Sequence, residues 1–278
     1  MSNLLLGKPV VEKIYKSQWV TSNKPFLSVC LVGENEASKI YVQNKKKACE
    51  RNGLGCDITY LSDSSNQNSI IDLIQSWNES KDIHGILIQL PLPTKINRNA
   101  VLNAVSPNKD VDGFHSLNLG KLVQSSPEFL PCTAMAVLEM LFHYEIEILG
   151  QHVVIINDTV VVGRPLAMLL SNHGATVTLC NRYTKSLKEI CATADILVSA
   201  VGKRPDFVLS DDYVKPGAVV IDIGITRLNG KVIGDVDFEQ VSKKTAYISP
   251  VPGGVGPCTI ACLMRNLAQA AYNLETNR

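Results

Sequence analysis

The sequence predicts an α/β protein of two domains, and three observations carry that expectation. Short apolar runs of strand length alternate with longer amphipathic segments through most of the 278 residues, the pattern of parallel sheets linked by helical crossovers. The run Gly85-Ile86-Leu87-Ile88-Gln89-Leu90 is almost wholly apolar, as a strand covered on both faces requires. A long apolar helix opening at Pro131-Cys132-Thr133 stands between two such alternating blocks. No low-complexity linker or internal repeat competes with it as the connector.

Composition narrows the function classes. With 45% hydrophobic and 19% charged residues, the chain reads as an ordinary globular protein, long enough for one large or two modest cores. A net charge of +1 argues against a nucleic-acid or membrane partner recruited by bulk electrostatics. The start, Met1-Ser2-Asn3-Leu4-Leu5-Leu6-Gly7-Lys8-Pro9, lacks the basic and apolar blocks of a secretory signal, and no run reaches bilayer length, so a cytoplasmic protein is expected. Eight cysteines at 30, 49, 56, 132, 180, 191, 258 and 262 form no Cys-x-x-Cys pair. Reduced core thiols are expected, with no metal site.

Taken in order, a helix is predicted from Gly7 to about Val20, then a strand over Phe26 to Val32 that stops at Gly33. The next helix holds Ser38-Lys39-Ile40-Tyr41-Val42-Gln43-Asn44-Lys45-Lys46-Lys47-Ala48-Cys49-Glu50 and stops at Asn52-Gly53. At about 100° per residue, Ser38, Tyr41, Val42, Lys45, Ala48 and Cys49 share one arc. Lys45 is therefore a lysine on the apolar face. Burial disfavours its charged form and suits it to general-base chemistry, with Tyr41 one turn earlier as partner. The other reading is a lysine whose methylenes lie along the face while its head reaches water.

A strand over Asp57 to Leu61 and a helix near Ser69 to Trp77 follow. Pro91-Leu92-Pro93 ends the strand begun at Gly85 and leaves Gln89 near its C-terminal end, where open α/β sheets place ligands. Gln89 either meets a ligand or satisfies a backbone group of the next loop. In Asp110-Val111-Asp112-Gly113 the two acids read as turn carboxylates unless partners elsewhere make them ligands.

After the connector helix, Ala134 to about Tyr144, the second block is more regular. Strands are predicted at 152–156, 176–180, 196–201 and 218–223, with helices at 164–172 and 187–193. This fits a Rossmann-like nucleotide domain. Its glycine fingerprint is replaced by Asn157-Asp158-Thr159-Val160-Val161-Val162-Gly163-Arg164-Pro165. Gly163 allows close backbone approach, and Pro165 suits the first turn of a helix whose N-terminus can take a phosphate. At the end of the next strand, Cys180-Asn181-Arg182 offers a base in place of the usual acid, which suits an NADP 2′-phosphate or is simply an exposed arginine. Pro250-Val251-Pro252-Gly253-Gly254-Val255-Gly256-Pro257 mixes fixed and side-chain-free backbone, a shaped loop against which a flat ligand can lie. A last helix runs to about Tyr272.

Tyr41 to Lys45, Gln89 to Pro93, Lys109 to His115, Gly234-Asp235-Val236-Asp237-Phe238 and Pro250 to Pro257 together resemble the bifunctional methylenetetrahydrofolate dehydrogenase/methenyltetrahydrofolate cyclohydrolase (FolD) family over nearly the whole chain. The resemblance implies an N-terminal α/β catalytic domain and a Rossmann-like domain with a cleft between them. Residues 1–115, joined by a C-terminal helix at about 257–278, would form the first; 116–256, with the connector helix, the second. It implies tetrahydrofolate derivatives as substrates, NADP as cofactor, and a homodimer. Lys45 would handle protons, Tyr41 stack on or position the folate, Gln89 and Asp112 assist the lysine and bind the pterin, and Pro252, Gly253 and Gly254 line the substrate. Asn157, Asp158, Thr159, Gly163, Arg182 and Ile225 would bind the cofactor.

The departures lie mostly in the cofactor half. Asn157-Asp158-Thr159 stands where the family usually has Gly-Arg-Ser, Thr226 where it has asparagine, and Ala134-Met135-Ala136 where it has Pro-x-Gly. A carboxylate at Asp158 is expected to weaken phosphate binding. Alternatives are a cyclohydrolase with lost or weak dehydrogenase activity or a non-catalytic folate-binding protein. Tyr41-x-x-x-Lys45 also has the short-chain dehydrogenase spacing, but here it precedes the nucleotide fold instead of following it.

Overall fold

The computed structural model describes residues 2–16 and 24–276. In chain order the elements are β1 (Asn3–Leu4), α1 (Gly7–Lys16), β2 (Phe26–Val32), α2 (Glu36–Arg51), β3 (Gly55–Leu61), α3 (Gln67–Glu79), β4 (Gly85–Ile88), α4 (Arg98–Ala104) and α5 (Ser116–Val123). Then come α6 (Cys132–His143), β5 (His152–Ile156), α7 (Gly163–Asn172), β6 (Thr176–Cys180), α8 (Leu187–Cys191), β7 (Ile196–Ser199) and β8 (Val219–Asp222). The chain closes with β9 (Thr226–Leu228), β10 (Lys231–Ile233), α9 (Phe238–Val241), β11 (Tyr247–Ile248) and α10 (Val255–Thr276). The expected first helix is seen as Gly7–Lys16, and its predicted continuation over 17–20 lies outside the described residues.

Contacts divide the chain into two units: Met1–Lys16 with Cys132–Thr259, and Ser17–Pro131 with Ile260–Arg278. This division and the expected boundary at 115 place residues 1–16 and 116–131 differently. The first of these follows from backbone pairing, because β1 adds to the later sheet in parallel with β11, Asn3 facing Tyr247.

The unit of Ser17–Pro131 and Ile260–Arg278 is built on a parallel sheet of order β3-β2-β4. Every residue of β4 is buried, which is why that strand is apolar on both faces. Its core gathers Cys30 and Val32 from β2, Ile70 and Ile74 from α3, Ile86 and Ile88 from β4, and Val101 and Leu102 from α4. An isolated parallel bridge pairs Ile86 with Asp110, so the segment leading to Asp112 runs beside β4 toward that strand's C-terminal end.

The other unit carries a six-stranded sheet of order β1-β11-β8-β7-β5-β6, parallel throughout. Strand β5 has β6 on one side and β7 on the other, so successive crossovers leave it in opposite directions. That is the topological switch point, where open sheets bind ligands beyond the strand C-termini. Val154, Ile156, Leu197, Val220 and Ile248 from four strands share its core with Cys180 and Cys191. The hairpin β9–β10 turns through Asn229 and Gly230, both at positive φ (51° and 76°), the two-residue connection that matches strand twist.

All eight cysteines are free, and seven are buried. Burial pushes the Cys30, Cys191 and Cys258 thiols up to about 12, leaving them protonated and inert near neutrality. Among the described residues no helix is long and apolar enough to cross a membrane.

Candidate active site

Helix α2 begins at Asn35, whose side chain accepts from Ser38 N at 2.9 Å and thereby satisfies one of the free amides at the helix start. From that cap the 3.6-residue period turns Ser38, Val42, Lys45 and Cys49 inward. Lys45 is 4% exposed, so its head does not run out to water. Its Nζ donates to Gln89 Oε1 at 3.1 Å and lies 4.5 Å from the centre of the Tyr41 ring. Of the two ways of reading Gln89, the structure shows the backbone one: Nε2 donates to Leu90 O at 2.7 Å, and that bond turns Oε1 toward the lysine. A buried amine is thus held by an amide whose own orientation is fixed by the backbone after β4.

The two acids of Asp110-Val111-Asp112 part company. Asp110 is buried; its carboxylate accepts from Phe114 N (3.2 Å), His115 N (2.8 Å) and Asn118 Nδ2 (2.8 Å). It is the turn carboxylate of the pair. Asp112 is half-buried, and among the described residues no hydrogen bond occupies its carboxylate, which leaves it available to a ligand. Lys109, beside them, turns the other way and donates to Trp77 O, Asn78 O and Ser80 O at 2.6–3.0 Å, capping the C-terminal end of α3. Sequence reasoning missed Lys109, Asp110 and Asn118 as the frame of Asp112. The available signal was Lys-Asp ahead of a valine that is itself core.

Burial pushes the Asp110 carboxyl up to about 6, against the hydrogen bonds that pull it down. Its folded value therefore lies above its unfolded one, so the folded state binds the extra proton and this group's contribution to stability falls as pH rises from about 4 to 6. Lowering pH from 7.5 to 5.5 is expected to add roughly 1 kcal/mol from this group alone. Urea midpoints at the two pH values should show a gain in the parent that is smaller by that amount in Asp110→Asn; equal gains would refute the assignment.

In the other unit, the loop from β5 into α7 folds around Asn157. Its Oδ1 accepts from Thr159 N (2.9 Å), Thr159 Oγ1 (2.7 Å) and Gly163 N (3.0 Å), while Nδ2 donates to Ala200 O at 2.7 Å. The loops after β5 and β7, the two sides of the switch point, are therefore tied by one side chain. At Gly163 a methyl group would lie 1.9 Å from Asn157 O, so only glycine permits this approach. Helix α7 starts at Gly163 with no side-chain cap on Val162. A glycine at close approach and a parallel switch point fit a dinucleotide, and the amides at the start of α7 are already taken, Gly163 N by Asn157 Oδ1 and Arg164 N by Thr159 O.

Charge at the strand ends is mixed. Asp158 Oδ2 accepts from Asn181 Nδ2 at 3.1 Å, linking the ends of β5 and β6. Arg182 is exposed, with its guanidinium 4.7 Å from the Tyr183 ring centre and Nη2 donating to Tyr183 Oη. Ile225 is 56% exposed on the loop after β8. Pro252, Gly253 and Gly254 form a turn in this same unit, where Gly253 O accepts from Gly7 N at 2.8 Å. So Tyr41, Lys45, Gln89 and Asp112 belong to one unit, and the predicted cofactor residues together with Pro252, Gly253 and Gly254 to the other.

Comparison with known proteins puts these two groups of site residues in two separate domains, although it assigns residues 5–16 and 260–275 to the opposite domain from the contact division. Residues 5–112 match the catalytic domain of tetrahydrofolate dehydrogenase/cyclohydrolase, and residues 131–275 match its NAD(P)-binding domain. The chain is 49% identical over 276 residues to the bifunctional protein FolD of Campylobacter concisus, covering 96% of this chain and 97% of that one. The crystal structure of the FolD methylenetetrahydrofolate dehydrogenase/cyclohydrolase of Campylobacter jejuni superposes with a TM-score of 0.92 at 44% identity, over 98% of this chain and 99% of the other. That of Trypanosoma brucei, complexed with NADP and an inhibitor, gives 0.91 at 33% identity over 98% of each chain.

Proposed function

The chain belongs to the tetrahydrofolate dehydrogenase/cyclohydrolase family, and on that premise we propose that it oxidises 5,10-methylenetetrahydrofolate to 5,10-methenyltetrahydrofolate with NADP⁺ and hydrolyses the product to 10-formyltetrahydrofolate. The observation that carries the reading is the buried Lys45 amine held by Gln89 Oε1 and faced by the Tyr41 ring.

The methenyl bridge is a cation. A lysine beside it is held in its neutral form by like-charge repulsion, and a neutral amine is a proton acceptor. As water adds to the bridge carbon, one water proton passes to Lys45 Nζ. Cleavage of the bond from that carbon to N5 then leaves the formyl group on N10, and N5 takes up a proton that Lys45 is placed to return. The balance is one water consumed and one proton released. Gln89 keeps the amine in place through the cycle, because its own amide is anchored on Leu90 O. Asp112 accepts from the N–H donors of the pterin, and the Tyr41 ring supplies a face for it. Pro252, Gly253 and Gly254 offer backbone to the substrate with little side chain in the way.

A bound NADP⁺ supplies the hydride acceptor for the oxidation. Asn157, Thr159, Gly163, Arg182 and Ile225 would hold it, and Asp158 works against its phosphate charge. That the enzyme is a cytoplasmic homodimer serving purine biosynthesis belongs to the same proposal and is supported by the family resemblance.

With methylenetetrahydrofolate and NADP⁺, the purified protein is expected to form the methenyl product, seen by its near-ultraviolet absorbance, and then to consume it by hydrolysis. Absence of turnover with either folate would overturn the reading. Running the same assay with NAD⁺ measures what Asp158 and Arg182 do to cofactor choice.

A further inference from the structure

Two buried carboxylates lie beneath the loops of the nucleotide-binding unit, and the chemistry above does not use them. Asp235 is 0% exposed and Asp222 3%. Among the described residues neither has an ion-pair partner. Asp222 Oδ1 accepts from Gly224 N (2.9 Å) and Asp235 N (3.1 Å), and its Oδ2 accepts from Val236 N (2.9 Å). Asp235 Oδ2 accepts from Ser199 Oγ and Val201 N, both at 2.7 Å, and its Oδ1 from Gly202 N at 2.8 Å. The first carboxylate thus fixes the backbone of the second, and the second fixes the loop that leaves β7.

The packing around the pair is close. A methyl group on Gly224 would lie 2.2 Å from the Asp235 carboxyl carbon, and one on Gly234 2.0 Å from Asp222 Oδ2. Glycine at both positions leaves room for the two carboxylates, Asp222 to reach the amides of Asp235 and Val236 and Asp235 to reach the loop after β7. The loop that Asp235 holds is one side of the switch point, since Ala200 O receives Asn157 Nδ2. It also touches the segment carrying Ile225: a methyl group on Gly202 would meet Ile225 O at 3.3 Å, and Arg204 N donates to Thr226 Oγ1 at 3.1 Å. A buried carboxylate with three donors and no cation is costly to hold, and here every one of its bonds goes to a single loop.

We propose that Asp235, braced by Asp222, is a positioning residue for the dinucleotide: it sets the Ser199-Ala200-Val201-Gly202 loop, and through it the Ile225 segment, in the shape that receives the cofactor. This rests on the reading of the chain as an NADP-dependent enzyme. Asparagine at 235 cannot accept at both ends, because one oxygen becomes an N–H₂ facing a backbone N–H or the Ser199 hydroxyl.

The test compares the parent with Asp235→Asn and with the milder Ser199→Ala, which removes one donor and no charge. NADP⁺ binding is measured by calorimetry, and methenyl hydrolysis, which needs no dinucleotide, reports whether the Lys45 unit remains intact in the same molecules. The expected result is an NADP⁺ dissociation constant raised about tenfold in Asp235→Asn, as loss of a hydrogen bond to a charged group implies. Ser199→Ala should show a smaller rise in the same direction, and both should hydrolyse at the parental rate. Dissociation constants unchanged in both variants would overturn the proposal while leaving the enzyme reading intact. If Asp235→Asn does not fold, Ser199→Ala alone decides by the same criterion. A parent that binds no NADP⁺ would overturn the enzyme reading and this inference together.

Discussion

Replacing Lys45 with methionine is expected to slow methenyltetrahydrofolate hydrolysis by ~10²–10⁴-fold, the range that a positioned general base supplies. Methionine is unbranched and close to the buried stem of lysine in length, so it fills the site with little strain. What disappears is the proton acceptor, along with the donor to Gln89 Oε1. Binding of a folate analogue should stay within a few-fold of the parent, since Tyr41 and Asp112 are untouched. Stopped-flow decay of the methenyl absorbance, beside analogue titration, separates the two quantities. A hydrolysis rate close to the parent's would remove Lys45 from the mechanism, and a matched loss of binding would make it a folate contact only.

The second large effect is expected at Gly163. An added methyl group would sit 1.9 Å from Asn157 O and 2.5 Å from its carbonyl carbon, and backbone atoms do not yield as the end of a side chain does. Either α7 or the loop must move, at a cost of about 1–3 kcal/mol. The movement breaks the bonds from Gly163 N and Thr159 N to Asn157 Oδ1, which shape the loop. Gly163→Ala should therefore raise the NADP⁺ KM at least ~10-fold, about 1.4 kcal/mol, while hydrolysis proceeds at the parental rate. Parallel dehydrogenase and hydrolysis assays check this, and a parental KM would show that the loop's shape is irrelevant to the dinucleotide.

How much of this was legible depended on whether an element announces itself by its own side chains. Strands His152–Ile156 and Thr176–Cys180 were predicted with the boundaries observed, because apolar β-branched runs between polar turns have few other readings. The inward face of α2 followed from helical period, and Lys45 stood out as the residue that broke it. Strand β1 could not be read: Asn3 and Leu4 are both exposed, and only backbone bonding to the β11 edge makes them a strand. The β9–β10 hairpin could have been read, since Asn229-Gly230 is a strong two-residue turn signal. Strand β4 ended at Ile88 instead of Leu90, with Gln89 N making one further bond to Cys30 O of β2 at 2.8 Å before Pro91, which has no N–H to donate.

At the site itself, Lys45 stood out by its helical face and Gln89 by its strand end, whereas Asp112 was singled out by the family resemblance; spacing alone could not say which of Asp110 and Asp112 is the turn carboxylate. That depended on three donors, Phe114 N, His115 N and Asn118 Nδ2, converging on Asp110. Convergence of this kind is a property of the folded loop and has no signature in spacing. The same holds for Asp222 and Asp235, thirteen residues apart, whose relation appears only once two strands and their loops are assembled.

The opposed anchors at Lys109 and Asp110 bear on entropy. One residue fastens the stretch to the last carbonyls of α3 through an ammonium, and the next draws its following turn inward through a carboxylate. Asp112 therefore leaves from a backbone with little freedom still to lose. Ordering a floppy loop and its side chains on association commonly costs about 0.5–1.5 kcal/mol for each group immobilised. Here that ordering is done during folding, so the proposed interaction of Asp112 with a pterin can appear as affinity instead of being consumed in arranging the loop.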